Sequence, residues 1–364
     1  MSIPASKIDV AILGATGAVG QRFIQLLENH PWFRVGEVVA SDRSAGKPYG
    51  EAARWVLAGS PPADVAAMTV LPLDAQLNSP IVLSALPSDV AKTLELELAA
   101  RGHVVSSNTS SHRMAADVPL LLPDLNADHV ALVEVQRRNR GWSSGALVTM
   151  TNCTSVALMV AFKPLLKYGI KQANVVSMQA VSGAGYPGVA SLDILDNVVP
   201  YIGGEEDKLE TEPRKVLGSF NGEAIDFLDT VISAACNRVP VLDSHLVCAS
   251  VGFENVPSLE QIKADWLAYQ GHELARDLPS MPDPVIAYSE VADRPQPRRD
   301  RDAGAGMTTT IGRLRECNLL DVKFVALSHN TIRGAAGGAI LNAELLVSRG
   351  YVQGVHVGEA QVMG

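Results

Sequence analysis

The sequence predicts an α/β protein: an N-terminal Rossmann-like, doubly wound parallel sheet, followed by a second domain of α+β type. Three observations carry this. Short apolar runs alternate with helical patterns over residues 1 to 150. A glycine-rich turn joins the first of those runs to the first helix. From Asn174 onward the rhythm changes to longer strand-like segments around one charged stretch. A length of 364 residues also exceeds what one core usually reaches, which favours two domains.

Taken in order, KIDVAILGATGAVGQRFIQLLENHP reads as a buried strand from Val10 to Leu13, a turn, then a helix with Val19, Phe23, Leu26 and Leu27 on one face. A second strand, VGEVVAS, follows. The runs IVLSAL (81 to 86) and HVVSSN (103 to 108), separated by the helical DVAKTLELELAARG, repeat the unit. In the second half VVSMQAVSGAG, VISAACNRVPVL and HLVCASVGF read as strands, and GGEEDKLETEPRKVLG as a helix. The segment 293 to 307, DRPQPRRDRDAGAGM, should be a solvated or subunit-contacting loop; its arginines alternate with Asp293, Asp300 and Asp302, which argues against a nucleic-acid patch. GGAILNAELLVSRGY is a helix apolar on several faces, suited to return onto the first domain. The expected partition is therefore 1–150 plus 331–364 for a discontinuous first domain and 151–330 for the second.

Lys and Arg number 30 against 39 Asp and Glu, a net charge of −9, so no electrostatic footprint for nucleic acid or anionic membrane is expected. The first residues lack the order of a secretion signal, and every apolar run is broken well short of a bilayer span, which predicts a cytoplasmic protein. Four scattered cysteines without a CxxC pair, and histidines without ligand spacing, predict reduced thiols and no metal.

Gly14, Gly17 and Gly20 in GATGAVG stand between strand and helix, where backbone N–H groups of Thr16, Gly17, Ala18 and Val19 and the helix dipole can hold a dinucleotide pyrophosphate. A tight strand-to-helix turn without ligand is the plainer alternative. The second strand ends in ASDRSAGK, where Ser41, Arg43, Ser44 and Lys47 offer donors and charge for a 2′-phosphate, so NADP is favoured over NAD; Asp42 or Glu37 turned inward would serve NAD instead.

Asn152, Cys153, Thr154 and Ser155 precede the apolar run VALMVAF, which places Cys153 at a helix N-terminus, a position that favours thiolate and offers donors to an oxyanion. A buried cysteine used as a small hydrophobe fits the same spacing. Arg238 and His245 lie seven residues apart in CNRVPVLDSH, on opposite faces of one strand unless Asp243–Ser244 turns the chain. With that turn both can face one cleft, Arg238 as a carboxylate clamp and His245 as a base.

The motifs GATGAVGQRF, ASDRSAGK, SNTSSHRM, TNCTSVAL, MQAVSGAGYPG, GGEEDKLE, CNRVPVLDSH and SHNTIRGAAGGAILNAE, in this order, resemble the archaeal and fungal branch of the aspartate-semialdehyde dehydrogenases. The resemblance implies a glyceraldehyde-3-phosphate dehydrogenase-like fold whose second domain is catalytic and dimerising, in a homodimer or homotetramer. It implies NADPH-dependent reductive dephosphorylation of 4-aspartyl phosphate through a cysteine thioester. By the same carry-over Cys153 is the nucleophile, His245 the acid/base, and Gln179 orients the acyl group. Asn152 and Arg238 contact substrate, and Glu206, or its neighbour Glu205, meets the substrate amino group. Lys208 and Arg113 hold phosphate, and Ser182, Gly183 and Asn330 line the nicotinamide side. Three departures stand out: Ser244 replaces a Gly of the branch, Leu246 and Val247 replace a Thr–Glu pair beside the histidine, and Asp124 replaces a Glu. Alternatives to this function are a malonyl-CoA reductase, similar over the same motifs, and a non-catalytic NADP-binding regulator.

Overall fold

The structure, a computed structural model, describes residues 2–4, 6–355 and 357–359. Six strands form the first sheet: β1 (Ile8–Leu13), β2 (Phe33–Val39), β3 (Ile81–Ser84), β4 (Val104–Ser107), β5 (Leu120–Leu121) and β6 (Ala146–Met150). Their order is β2-β1-β3-β4-β6-β5, and every pairing is parallel. Strands β3, β4 and β6 are buried at every residue, as a sheet covered on both faces requires. The order reverses beside β1, and a ligand crevice is expected at the carboxyl ends there. Helix α1 (Ala18–Leu27) follows β1 and buries Phe23 and Leu27 as the pattern predicted, with Ile24 completing the face while Val19 and Leu26 are half-buried.

The second sheet is mixed: β7 (Ile170–Gln179), β8 (Val231–Arg238), β9 (His245–Phe253), β10 (Ile286–Ser289), β11 (Thr309–Glu316) and β12 (Val322–Ser328), in the order β8-β7-β9-β12-β11-β10. Arg238 therefore ends one strand and His245 begins another, with the connection 239–244 between them, so the opposite-face problem of a single strand does not arise. Helix α2 (Cys153–Phe162) begins two residues after β6 and packs against β9 and β12 and against helix α3 (Glu205–Val216). All of its residues after Cys153 are buried, which is why its sequence shows no polar face. The segment 293–307 contains two short turns of helix, Pro297–Asp300 and Ala303–Gly306, with Arg294 ion-paired to Asp300 and Arg298 and Arg299 exposed.

After β12 the chain runs through a π-helical turn, Ile332–Ala336, into helix α4 (Gly337–Ser348), buried from Gly337 to Val347 and packed against β4 and β6 of the first sheet. The carbonyl of Ala339 accepts from Ser106 Oγ in β4 at 2.9 Å. The π turn is held by Arg333, whose Nη2 lies 2.5 Å from Asp124 Oδ1 with neither side chain exposed. Removing one member of such a pair strands a charge in the interior. Arg333→Met is therefore expected to lose about 3–5 kcal/mol in urea denaturation, with most of it regained in Arg333→Met/Asp124→Leu; a single variant as stable as the parent contradicts this.

Candidate active site

Cleft and cofactor side. A cleft of about 920 Å³ runs along the carboxyl ends of β1 and β3 and reaches the start of α2. Gly14 adopts φ +73°, and a Cβ there would meet the carbonyl oxygen of Ala85 at 2.6 Å, so only glycine permits β1 and β3 to end side by side. Gly14, Thr16, Gly17, Ala18 and Val19 line the cleft, with Ser41 and Arg43 beyond them and Ser182, Gly183 and Asn330 at the far end. Ser44 is outside the lining and donates its backbone N–H to the Ser41 carbonyl. Lys47 turns back onto the Arg43 carbonyl. Glu37 accepts from Asn78 and Ser79, away from the cleft, and Asp42 does not line it, so neither acid is placed for a ribose hydroxyl. Arg54, which pattern reading had no reason to select, lines the same wall and lies 5.3 Å from the ring centroid of Tyr186.

Cysteine and histidine. Asn152 caps α2: its Oδ1 accepts from the N–H groups of Thr154 and Ser155 at 2.9 and 3.4 Å. Cys153 is thereby the first helical residue, with Sγ 3.2 Å from Nε2 of His245. The other ring nitrogen, Nδ1, accepts the backbone N–H of Ala180 at 3.1 Å. Because a backbone amide can only donate, the neutral ring must carry its proton on Nε2, facing the sulfur. Gly334 closes the other side: a Cβ there would lie 2.6 Å from that of Cys153. Burial, then the Glu205 charge, pushes the thiol up to about 12. Burial, then Arg238, pushes the imidazole down to about 3. The helix terminus expected to favour thiolate is thus outweighed by desolvation in the unliganded site.

Polar wall. Glu205 Oε2 accepts from Asn152 Nδ2 at 2.9 Å, and Glu205 Oε1 from Lys208 Nζ at 2.8 Å; all three residues line the cleft. Burial opposes the charge on Glu205, yet Lys208 and Asn152 hold its carboxyl below the usual value. Glu206 points elsewhere, accepting the N–H of Cys236 at 3.0 Å, because adjacent helix positions lie about 100° apart. Glu205, the alternative of the two, is the one that lines the cleft, whereas Glu206 lies outside the lining. Arg113 lines the wall and is ion-paired to Glu212 at 3.0 Å, a residue the sequence reading did not single out. Asn108, Thr109 and Ser110, inside the motif SNTSSHRM, line it as well. Gln179 and Arg238 pair in register at the ends of β7 and β8. Gln179 is buried with Nε2 turned to Ser177 Oγ at 3.3 Å. Arg238 donates to the Ala180 carbonyl at 2.7 Å, and a Cβ on Gly183 would lie 2.9 Å from its Nη1.

Departures. Ser244 has φ +84° and is fully buried, its N–H donated to Asn330 Oδ1 and its hydroxyl without a partner. Leu246 lies across from Met178 on the open face of the sheet, and Val247 is buried in the core; neither lines the cleft.

Relatives. A glycine-walled cleft beside a parallel sheet, ending on the contact between the half-buried Cys153 and the buried His245, is the arrangement of a two-domain, dinucleotide-dependent dehydrogenase. Residues 9–133 match the family profile described as semialdehyde dehydrogenase, NAD binding domain, and residues 162–333 that described as semialdehyde dehydrogenase, dimerisation domain. Aspartate-semialdehyde dehydrogenase of Archaeoglobus fulgidus is 49% identical over 94% of this chain and 98% of its own, and that of Schizosaccharomyces pombe 45% over 94% and 99%. The crystal structure of the Candida albicans enzyme with NADP superposes with a TM-score of 0.88 at 40% identity, over 95% of this chain and 100% of that one. Aspartate semialdehyde dehydrogenase II of Vibrio cholerae complexed with ASA gives 0.74 at 26% identity, over 95% and 100%. The chain belongs to the aspartate-semialdehyde dehydrogenase family.

Two outcomes follow. Ser244→Gly removes both the positive-φ strain and the unpartnered hydroxyl, and should stabilise the protein by about 1 kcal/mol in urea denaturation; a destabilised variant would show that the hydroxyl makes a contact worth more than the strain. A thiol raised by burial stays protonated near neutrality, so iodoacetamide modification of Cys153 in the unliganded enzyme should climb from about pH 8 to about pH 10 without levelling off. A plateau reached below neutral pH indicates a resting thiolate–imidazolium pair instead.

Proposed function

We propose that this protein catalyses the NADPH-dependent reductive dephosphorylation of 4-aspartyl phosphate to aspartate 4-semialdehyde, a step toward lysine, methionine and threonine, through a thioester on Cys153. The observation that carries it is the Cys153–His245 contact at the inner end of a glycine-walled dinucleotide cleft. The cleft suits NADP: the tight Gly14 turn admits a pyrophosphate, and Ser41, Arg43 and Arg54 can meet a 2′-phosphate with no acid competing. Bound there, NADPH supplies the hydride.

The residues of the chain supply the remainder. Cys153 Sγ attacks the acyl carbonyl and the phosphate leaves with the bonding electrons, giving a thioester. Phosphate departs past Arg113 and Lys208. The thiol proton leaves with the departing phosphate, and His245 Nε2–H donates to the sulfur and then to the developing oxyanion, to which the start of α2 also presents backbone donors. Gln179 orients the acyl group, Arg238 meets the α-carboxylate, and Glu205, backed by Asn152, takes the α-ammonium. Glu205 separates this reading from a malonyl-CoA reductase, whose substrate has no ammonium for a buried carboxylate to meet.

The second sheet keeps one face open, with Val176 and Met178 opposite Cys248 and Leu246, and Leu192, Leu195, Val198 and Tyr201 nearby in sequence to β7 each more than half exposed. This supports a homo-oligomer, which we read as a homodimer or a tetramer of two such dimers. We assign 1–150 with 331–364 to the cofactor domain and 151–330 to the catalytic one, and place the enzyme in the cytoplasm.

The purified enzyme should reduce NADP, in preference to NAD, when given aspartate semialdehyde and inorganic phosphate. Cys153→Ala should lower that rate by about a thousandfold or more. Turnover of malonyl-CoA without semialdehyde activity sinks the substrate assignment, and an active Cys153→Ala variant sinks the thioester.

A further inference from the structure

Arg113 belongs to the cleft wall yet is more than nine-tenths buried. Its Nη1 donates to Glu212 Oε1 at 3.0 Å, its Nη2 to the Asn108 carbonyl at 2.9 Å, and its Nε has no partner. A guanidinium with free donors binds an anion well only where its neighbours fix its direction.

Two residues of helix α3 do this. Glu212 holds the side chain, and its second oxygen, Oε2, accepts Thr151 Oγ1 at 2.9 Å and the Asn152 N–H at 2.6 Å. One carboxylate thus ties Arg113 to the residue that caps the helix of Cys153. Three residues on, Lys215 Nζ donates to the carbonyls of Arg113, Ala115 and Val118 at 2.7, 2.8 and 2.9 Å. All three ammonium protons are used on backbone, so Lys215 fixes the main chain from which Arg113 projects. Positions 205, 208, 212 and 215 recur at helical spacing, so one face of α3 carries the whole arrangement.

We propose that Glu212 and Lys215 are positioning residues for the oxyanion subsite: they set the Arg113 guanidinium relative to Cys153 and thereby the affinity for phosphate. The proposal rests on the reading of Arg113 as a phosphate contact. Glu212→Gln isolates the effect. Its amide oxygen can still accept from Thr151 and Asn152, but its NH₂ then faces Arg113 donor to donor.

The test compares Arg113→Ala, Glu212→Gln and Lys215→Met in the full-length enzyme. Three quantities are read: KM for inorganic phosphate, its dissociation constant by calorimetry, and the single-turnover rate of NADP reduction by semialdehyde without phosphate. Glu212→Gln should raise the first two by about tenfold or more and change the third by less than about threefold. Lys215→Met should move them in the same direction and by itself serves as the test if Glu212→Gln does not fold. If Arg113→Ala leaves both phosphate constants unchanged, the reading of Arg113 fails. If Arg113→Ala raises them while Glu212→Gln and Lys215→Met do not, or if those two variants slow only the phosphate-free step, the positioning proposal is overturned.

Discussion

Everything in the site depends on one capping residue. Asn152 directs three polar groups to three parts of the molecule: Oδ1 to the open N–H groups of α2, Nδ2 to Glu205, and its own N–H to Glu212. An uncapped helix start buried in the protein would leave amide donors unsatisfied, so the cap is needed for stability before it has any role in chemistry. Once made, it locks the end of β6 to the first turn of α2 and to α3. Cys153, the next residue, inherits a fixed place, and His245 meets it from the second sheet.

Desolvation sets the electrostatics there, His245 being fully buried and Cys153 half-buried at the inner end of the cleft. Burial disfavours both the thiolate and the imidazolium, and the Ala180 N–H on Nδ1 leaves no acceptor for a second ring proton. Both shifts favour an uncharged pair, with the ring proton on the nitrogen that faces the sulfur. Arg113 and Arg238 pull the thiol the other way, more weakly than burial and Glu205 push it. The Glu205 charge is one of those opposing influences, so neutralising that carboxylate would ease ionisation of the thiol beside it.

Much of this was legible in sequence, for identifiable reasons. Periodicity found β1, α1 and the strands near 81 and 104, because a parallel sheet covered on both faces leaves runs of apolar residues and little else. The strand Ala146–Met150 went unnoticed because it ends directly in the polar TNC motif and has no turn signal before the next helix. The cysteine and histidine were marked by their neighbours, whereas their contact at 3.2 Å spans 92 residues and no local pattern encodes it. Choosing between Glu205 and Glu206 required knowing which side of α3 faces the cleft, a rotation that charge content alone does not give. Glu212 and Lys215 stayed hidden for a related reason: charged residues on a helix read as solvated until the fold buries them.

The departures around His245 show how alternation along a strand sorts tolerable changes from consequential ones. Leu246 projects to the open face and Val247 into the core, so losing a Thr–Glu pair there removes nothing from the cleft wall. Ser244 is different, because its backbone must take a positive φ to bring His245 onto Cys153, and its N–H must reach Asn330. Asn330 in turn donates to Ser182 at 2.8 Å on the cofactor side. The turn therefore links His245 to the cofactor wall through two hydrogen bonds, and a residue that fits it poorly is tolerated since the bonds are made by backbone and by Asn330, not by the side chain that changed. The groups that line the cleft wall, Glu205 among them, are thus left untouched by the altered strand beside the histidine.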